Sequence, residues 1–534
     1  LHAQRLGALL SKPSTFIAAT NHGVMQNIGL LQLATAFPAL PDAAAWRTLA
    51  LQRLAMQLPG WISPEGAVLE HSAGYHFHGV VLSGYVVRLL EAAGVPVPPA
   101  WAAAHAGARE FMATLQRPDR TLPPYGNTFR YAWRLPPVLG VDDAEWARRL
   151  EERPAFTRLL PVAGHAVWWS PRSAAGTATH THLPWGHFAG HGHRRAQELS
   201  LLVWSAGTEW STNTGYWPSG DLPGIRVTDG WAAGNAPHVS GEGDDPARLG
   251  RLRAHAEDGD LRFIDLEREA PAGADDRLRI RRQVLQWQGS TWIVLDSHVD
   301  PQRRELRVLW TSAPETTQHD DGGGRFRVER AGAPVALALN VEGSAGFTAS
   351  PRRGSLQPFA GWVAFDRRAA PPPAVDVRLP SSGGWLLTTL HLHAAAPAGG
   401  RPMKATMTRH AGPDDWTLRL VPAGQPQAGN HDGQAVEWTR RHGRLQMREL
   451  RQGGTTRELP LVGADTDAVD AARASIARSR AELLAAWPRY RTDEWSRRRW
   501  SNALVVAWGA STALIVGLAV ALRWRRRRAL RSAA

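Results

Sequence analysis

The chain has 534 residues and a formal net charge of +14, with 43% hydrophobic and 21% charged residues. That length exceeds one ordinary domain, and the near-average composition excludes wholesale disorder and collagen-like repeats. The absence of cysteine excludes a disulfide scaffold, a zinc ribbon and a cysteine nucleophile.

Taken in chain order, residues 1–160 read as helical. Stretches such as Ile28–Ala34 and Gly84–Leu90 carry apolar residues at three-to-four spacing, with breaks at Pro59-Gly60 and Pro96–Pro99. Residue 1 is Leu and no signal-peptide pattern precedes the first helix, so an upstream piece is expected. Over 161–460 the period changes to two. Leu199–Trp204, Arg277–Arg281, Trp292–Asp296, Glu305–Trp310 and Trp385–Leu390 read as strands separated by turns, which predicts an antiparallel β-sandwich rather than a parallel sheet. Residues 461–502 return to helix, chiefly Ala468–Ala486, as a linker.

Residues 503–522 form an uncharged Ala/Val/Leu-rich run of the length that crosses a bilayer, bracketed by Trp500 and Trp524. The tail 523–534 carries six arginines. Together these predict a single-pass anchor in the inner membrane, the bilayer as a partner, a periplasmic body and a cytoplasmic tail. Removing the six arginines from +14 leaves +8 for the rest. A basic body suits a polyanion, but no DNA- or RNA-binding motif is present, so no nucleic-acid partner is expected.

Four clusters hold polar residues that a fold alone does not require: Asn21-His22-Gly23, Glu70–His78, His187–Glu198, and Glu209 through Asn213 and Gly215-Tyr216-Trp217 to His238. Each has a plain structural reading as helix-end or loop polar residues. Together they suit β-elimination from a uronic-acid polysaccharide. An amide or His bonded to the sugar carboxylate stabilises the enolate-like transition state once the C5 proton leaves. A Tyr or His takes that proton, and a Tyr gives one to the departing oxygen.

Asn21-His22-Gly23 before an apolar helix, the Glu70–His78 stretch with Gly74-Tyr75, and the strand entry His193–Ser200 resemble the heparinase II/III-like polysaccharide lyases, which are related to alginate lyases. The resemblance implies an α+β multidomain fold: an incomplete α/α toroid lacking its N-terminal part, then an antiparallel β-sandwich, here followed by one transmembrane helix. It implies that Asn21 and His22 face the substrate carboxylate, that Tyr75 is the acid/base tyrosine and that His193 is the base or the neutralising histidine. His71, His76, Arg195, Tyr216, Trp217 and His238 are the candidate substrate-binding residues. The family's zinc-ligand positions fall on Arg195, Asn213 and His238; Arg is a permanent cation and Asn is uncharged, so no metal or other cofactor is expected. Arg195 would then fill the cation's place by bonding to Asn213 or a nearby carboxylate. An alternative register would use His191, His193 and Glu209 as ligands.

The implied function is an anchored lyase in exopolysaccharide processing acting on an acidic polysaccharide. The alternative is a non-catalytic polysaccharide-binding relative in exopolysaccharide assembly or export. The 24 Trp against 12 Phe and 6 Tyr also draw notice. Trp185, Trp204, Trp210, Trp217 and Trp231 gather around the proposed site, either as sugar-stacking surface or as ordinary packing.

Overall fold

The computed structural model describes residues 1–217, 227–243, 249–269, 277–365, 368–380, 383–395, 403–410, 415–422, 435–450 and 456–487. Six α-helices come first: α1 (His2–Ser11), α2 (Asn21–Ala36), α3 (Ala43–Trp61), α4 (Ala73–Ala92), α5 (Pro99–Leu115) and α6 (Asp143–Glu151). α1 packs on α2, α2 on both α3 and α4, and α4 on α5. The expected break at Pro59-Gly60 does not occur. α3 runs on to Trp61, and Gly60 is the point of close approach to Arg480, whose Cβ lies 3.4 Å from where a side chain on Gly60 would begin.

Strands begin with β1 (Phe156–Leu160), β2 (His165–Ser170), β3 (Thr179–Pro184), β4 (Leu202–Ser205) and β5 (Thr208–Ser211), paired in that order as an antiparallel sheet. The stretches expected as strands at 277–310 and 385–390 appear as Arg279–Trp287, Thr291–Val299, Leu306–Thr311 and Trp385–Ala394. Most of them belong to a nine-stranded sheet whose central strands are buried on both faces. Ile264, Leu266, Val284, Trp292 and Val294 point into a core shared with β2–β5 and the 306–311 strand. Their neighbours Phe263, Leu285 and Ile293 point the other way, into a second core with the strands of 403–460. Side-chain alternation with period two makes this possible, and burial on both faces erases the polar positions that a half-exposed strand would show.

The helical unit and the sheets share a third core. Phe77 and Val80 of α4 and Phe111 of α5 pack with Leu160 and Val167 of β1 and β2. Arg117 and Arg130 both bond to the buried carboxylate of Glu209, at 2.8 and 2.9 Å. A buried carboxylate without its cations would be costly, so this pairing pins the two units together.

The linker helix is α7 (Thr466–Ala486), and it folds back. Ile476 enters the shared core, Leu483 packs on Phe16, and Arg480 donates to the carbonyls of Ala19 (2.9 Å) and Gly190.

The membrane expectations are corrected. Among the described residues no helix is long and apolar enough to cross a membrane. α7, the 21-residue helix, carries Asp470, Arg473, Arg478 and Arg480 along its length. The 503–522 run lies outside the described residues. The transmembrane helix, the bilayer partner, the inner-membrane placement and the periplasmic and cytoplasmic sides are therefore withdrawn.

Candidate active site

The site is built where the first turns of two helices meet the loop ahead of β4. Thr20 caps α2 and accepts from the backbone N–H of His22 at 3.3 Å, which places Asn21 and His22 in the first turn. Ser72 caps α4 and accepts from the N–H of Tyr75 at 3.3 Å. Its hydroxyl also meets that of Thr128 at 3.1 Å, tying α4 to the 125–134 loop. Gly126, at φ 58°, lies where loops cross: a Cβ there would fall 1.9 Å from the carbonyl oxygen of His71 and 2.9 Å from that of His193.

His193, itself left-handed at φ 63°, lies flat against Tyr75, with ring centroids 3.3 Å apart and planes 13° from parallel. Its Nε2 is 3.5 Å from Oε2 of Glu70, and its Nδ1 is 3.3 Å from the amide nitrogen of Asn127. The orientation of Asn127 follows from its other contact, in which its Oδ1 accepts from Nε of Arg195 at 2.8 Å. An amide oxygen held by a guanidinium turns the amide N–H groups toward His193, so Nδ1 accepts and Nε2 carries the proton. That proton faces Glu70.

Glu70 is buried and also accepts from the indole N–H of Trp61 at 2.7 Å and from the backbone N–H of Asn21. Burial outweighs these bonds and raises its carboxyl to about 7. His193 is held down to about 4 by burial, with His22 and His78 adding to the effect, and is therefore neutral at pH 7. Burial first, then Tyr216 and Glu70, push the Tyr75 phenol well above its ordinary value, so it stays protonated. His22 and His78 are exposed on the open side, and His78 sits one turn from Tyr75 on the same helix face, with rings 5.5 Å apart.

The structure thus brings Asn21, His22, Tyr75 and His193 together, with Tyr216 close enough to act on Tyr75 and Arg195 electrostatically. It does not bring the other candidates to the cleft. His71 accepts from the N–H of Phe188 at 2.8 Å and faces the carbonyl of Gly192 at 3.4 Å. His76 accepts from the N–H of Val68 at 3.1 Å and donates to the carbonyl of Ala108 at 3.0 Å. Helical geometry explains the latter: with Tyr75 and His78 on the cleft face, His76 points into the core. Trp217 is buried against Phe359 and Trp362, and His238 is buried with Nδ1 on the carbonyl of Ala236 at 3.0 Å. Trp185, Trp204, Trp210 and Trp231 are buried too, so none of the five tryptophans offers a stacking face.

The residues at the metal positions do not fit a zinc ion. Arg195 is itself a cation, paired to Asp229 at 2.8 Å and donating to the carbonyl of Thr228 at 2.6 Å. Its carboxylate partner is Asp229, and Asn213 instead accepts from the N–H of Asn235 at 3.2 Å. Glu209, the acid of the alternative register, is taken by Arg117 and Arg130. Among the described residues no group of three His, Asp or Glu is placed to hold a metal.

Glu70 and Asn127 were not singled out from the sequence. Glu70 opens the Glu70–His78 stretch and could have been noticed there. Asn127 sits in a loop without pattern and gave no signal.

A heparinase II/III-like C-terminal family model matches residues 153–439, more than half the chain, and a heparinase II/III N-terminus model matches 8–134. Among solved structures, a heparinase III with methylated lysines superposes with a TM-score of 0.63 at 13% identity, covering 79% of this chain and 65% of that one. A second heparinase III gives 0.66 at 15% identity, covering 82% and 70%. A mutant heparan sulfate lyase from Pedobacter heparinus gives 0.62 at 14%, covering 79% and 67%. At such identities the likeness is one of fold, and the chain spans just under two thirds of the first structure. No curated protein sequence matches.

Proposed function

The chain belongs to the heparinase II/III-like family, a family of carbon–oxygen lyase enzymes, and we propose that it is a polysaccharide lyase that cleaves a uronic-acid-containing polymer by β-elimination. The observation that carries this reading is the face-to-face pair of Tyr75 and His193, contributed by the helical unit and by the sheet side. One member is held protonated and the other neutral. Two groups whose surroundings push them apart in this way divide acid and base work between them.

The roles follow from the protons. The side chains of Asn21 and His22 face the sugar carboxylate and stabilise the negative charge that develops when the C5–H bond breaks. Nδ1 of His193 holds the lone pair that accepts the C5 proton, and substrate displaces its long contact to Asn127. The electron pair left on C5 forms the C4–C5 double bond as the C4–O bond breaks. The Tyr75 hydroxyl supplies the proton to the departing oxygen. Glu70, on Nε2–H, steadies the imidazolium, as an acid orients a histidine in a hydrolase triad.

The test is absorbance near the ultraviolet edge from unsaturated ends when alginate, heparan sulfate or hyaluronan is incubated with the chain. Cleavage that disappears in Tyr75→Phe and His193→Ala supports the reading, and no product from any of the three counts against it. The second reading, a binding relative without catalysis, is favoured by one observation: both ring nitrogens of His193 already face protein partners. Binding of the same polymers without cleavage would select it.

A further inference from the structure

Most of α7 is open to solvent, yet one face of it is built against the segments that carry the site. Ile476 and Leu483 bury their side chains on that face. Arg480, four residues after one and three before the other, lies on the same face. α3 comes up beside it at Gly60, where any side chain would begin 3.5 Å from the Cα of Arg480. The Arg480 guanidinium then reaches two segments far apart in sequence. Nη1 donates to the carbonyl of Ala19 at 2.9 Å, and Nη2 donates to that of Gly190.

Both carbonyls belong to segments that deliver site residues. Ala19 stands immediately ahead of Thr20, the cap that sets Asn21 and His22 in the first turn of α2. Gly190 stands three residues ahead of His193, and its φ of 75° is one that glycine adopts without strain. Each segment is also held on its own side. Ala18 accepts from Nε2 of Gln57 at 2.8 Å, and Phe16 packs on Leu483 and meets Trp487 edge-on at 5.2 Å. Across the site, the N–H of His191 donates to the carbonyl of Phe188 at 3.3 Å. Arg480 joins the two segments through one planar group whose nitrogens keep a fixed separation. Its charge also acts on Glu70, which takes the indole N–H of Trp61 and the N–H of Asn21 and faces His193.

We propose that Arg480 is a positioning residue for the elimination: by clamping the Ala19 and Gly190 carbonyls on one guanidinium, it fixes the spacing between the carboxylate-binding pair Asn21 and His22 and the base His193. The reaction needs that spacing. The base must meet the C5 proton while the carboxylate attached to the same carbon is held, and a drift of about 1 Å between the two is enough to cost much of the rate. The catalytic role rests on the lyase reading, whereas the clamp does not, and the two are measured separately.

The experiment compares the parent chain with Arg480→Ala, Arg480→Lys and, as a control, Arg478→Ala, which removes an exposed arginine from the same helix. KM and kcat are measured on whichever of alginate, hyaluronan or heparan sulfate is cleaved, and backbone amide exchange is followed by mass spectrometry. Arg480→Ala is expected to lower kcat on the order of 10- to 10²-fold, with KM changed less. Guanidinium chloride at millimolar concentration should restore part of that loss, and sodium chloride of equal ionic strength should not. Arg480→Lys reaches one carbonyl but not both, so it should fall between the parent and Arg480→Ala. Exchange should quicken at residues 20–23 and 188–193 while α5 keeps the parent's rate, and Arg478→Ala should match the parent throughout. If Arg480→Ala does not fold, Arg480→Lys carries the same comparison. If the parent cleaves none of the polymers, the lyase reading fails, and faster exchange at both segments still supports the clamp. A parent-like kcat, or parent-like exchange at either segment, overturns the proposal. So does a loss that guanidinium leaves untouched, or one that comes with faster exchange across the whole chain.

Discussion

Oε2 of Glu70 lies 3.5 Å from Nε2 of His193, although one residue precedes α4 and the other belongs to the loop ahead of β4. The contact sets Glu70 against the protonated nitrogen of His193, the tautomer that Asn127 imposes from the other side of the ring. Glu70→Gln keeps the shape and removes the charge, so kcat should fall on the order of 10²-fold with KM less affected. The pH profile gives the sharper check. Glu70 ionises at about 7 and His193 at about 4. In the parent, kcat should fall as pH drops through 7 and Glu70 takes up a proton, and in Glu70→Gln that limb should move below pH 5. An unchanged limb would remove Glu70 from the mechanism.

Tyr75→Phe deletes the proton given to the leaving oxygen and leaves the ring against His193. A drop in kcat of at least about 10²-fold is expected, with little change in the unfolding midpoint. His193→Ala should lose a similar factor. Because the pair works as a unit, the double variant should be hardly slower than either single one. Multiplying losses, followed by absorbance of the unsaturated product, would show that the two residues act separately.

Arg195 spends Nε on Asn127 and Nη1 on both Thr228 and Asp229. A single amine cannot reach all three, so Arg195→Lys should destabilise the fold by about 1–3 kcal/mol and release the orientation of Asn127. Because a permanent cation and an uncharged amide stand at two of the positions that the resemblance gives to zinc ligands, treatment with a chelator should change neither the unfolding midpoint nor kcat of the parent. A chelator-sensitive midpoint, restored by zinc, would contradict this.

Periodicity carried much of this architecture. The strand at Trp292–Asp296 and the helix at 468–486 were legible because their apolar residues repeat with the right period. The third sheet layer was not, because a strand such as Leu261–Glu269, buried on both faces, shows no alternation that says what lies on each side. At the site, Asn21, His22, Tyr75 and His193 could be read as chemistry. His71, His76 and His238 could not be sorted from them, since a histidine satisfied by carbonyls and amide N–H groups has the same letter as one facing a cleft. Only the helical phase of α4 and the loop contacts separate the two kinds.

The same satisfied histidines give the chain a steep response to acid. His71, His76 and His238 are buried, and burial holds them down to about 3, 4 and 4. In the unfolded chain each titrates near 6.5, so below that pH the unfolded state binds protons that the folded state refuses. Stability is therefore complete above 6.5 and falls as pH drops toward the folded values, by on the order of 1 kcal/mol per unit for each group. Glu70 works in the opposite direction, because its raised carboxyl favours the fold as pH falls from 7 toward 4.5, but it is one group against several. Net destabilisation is expected between pH 6.5 and 5, measured as the free energy of urea unfolding at each pH. His76→Gln can still accept from the N–H of Val68 and donate to Ala108, so it should fold and show a slope shallower by about one proton. A parent whose stability stays flat or rises over this interval would mean that these rings are already charged in the folded chain.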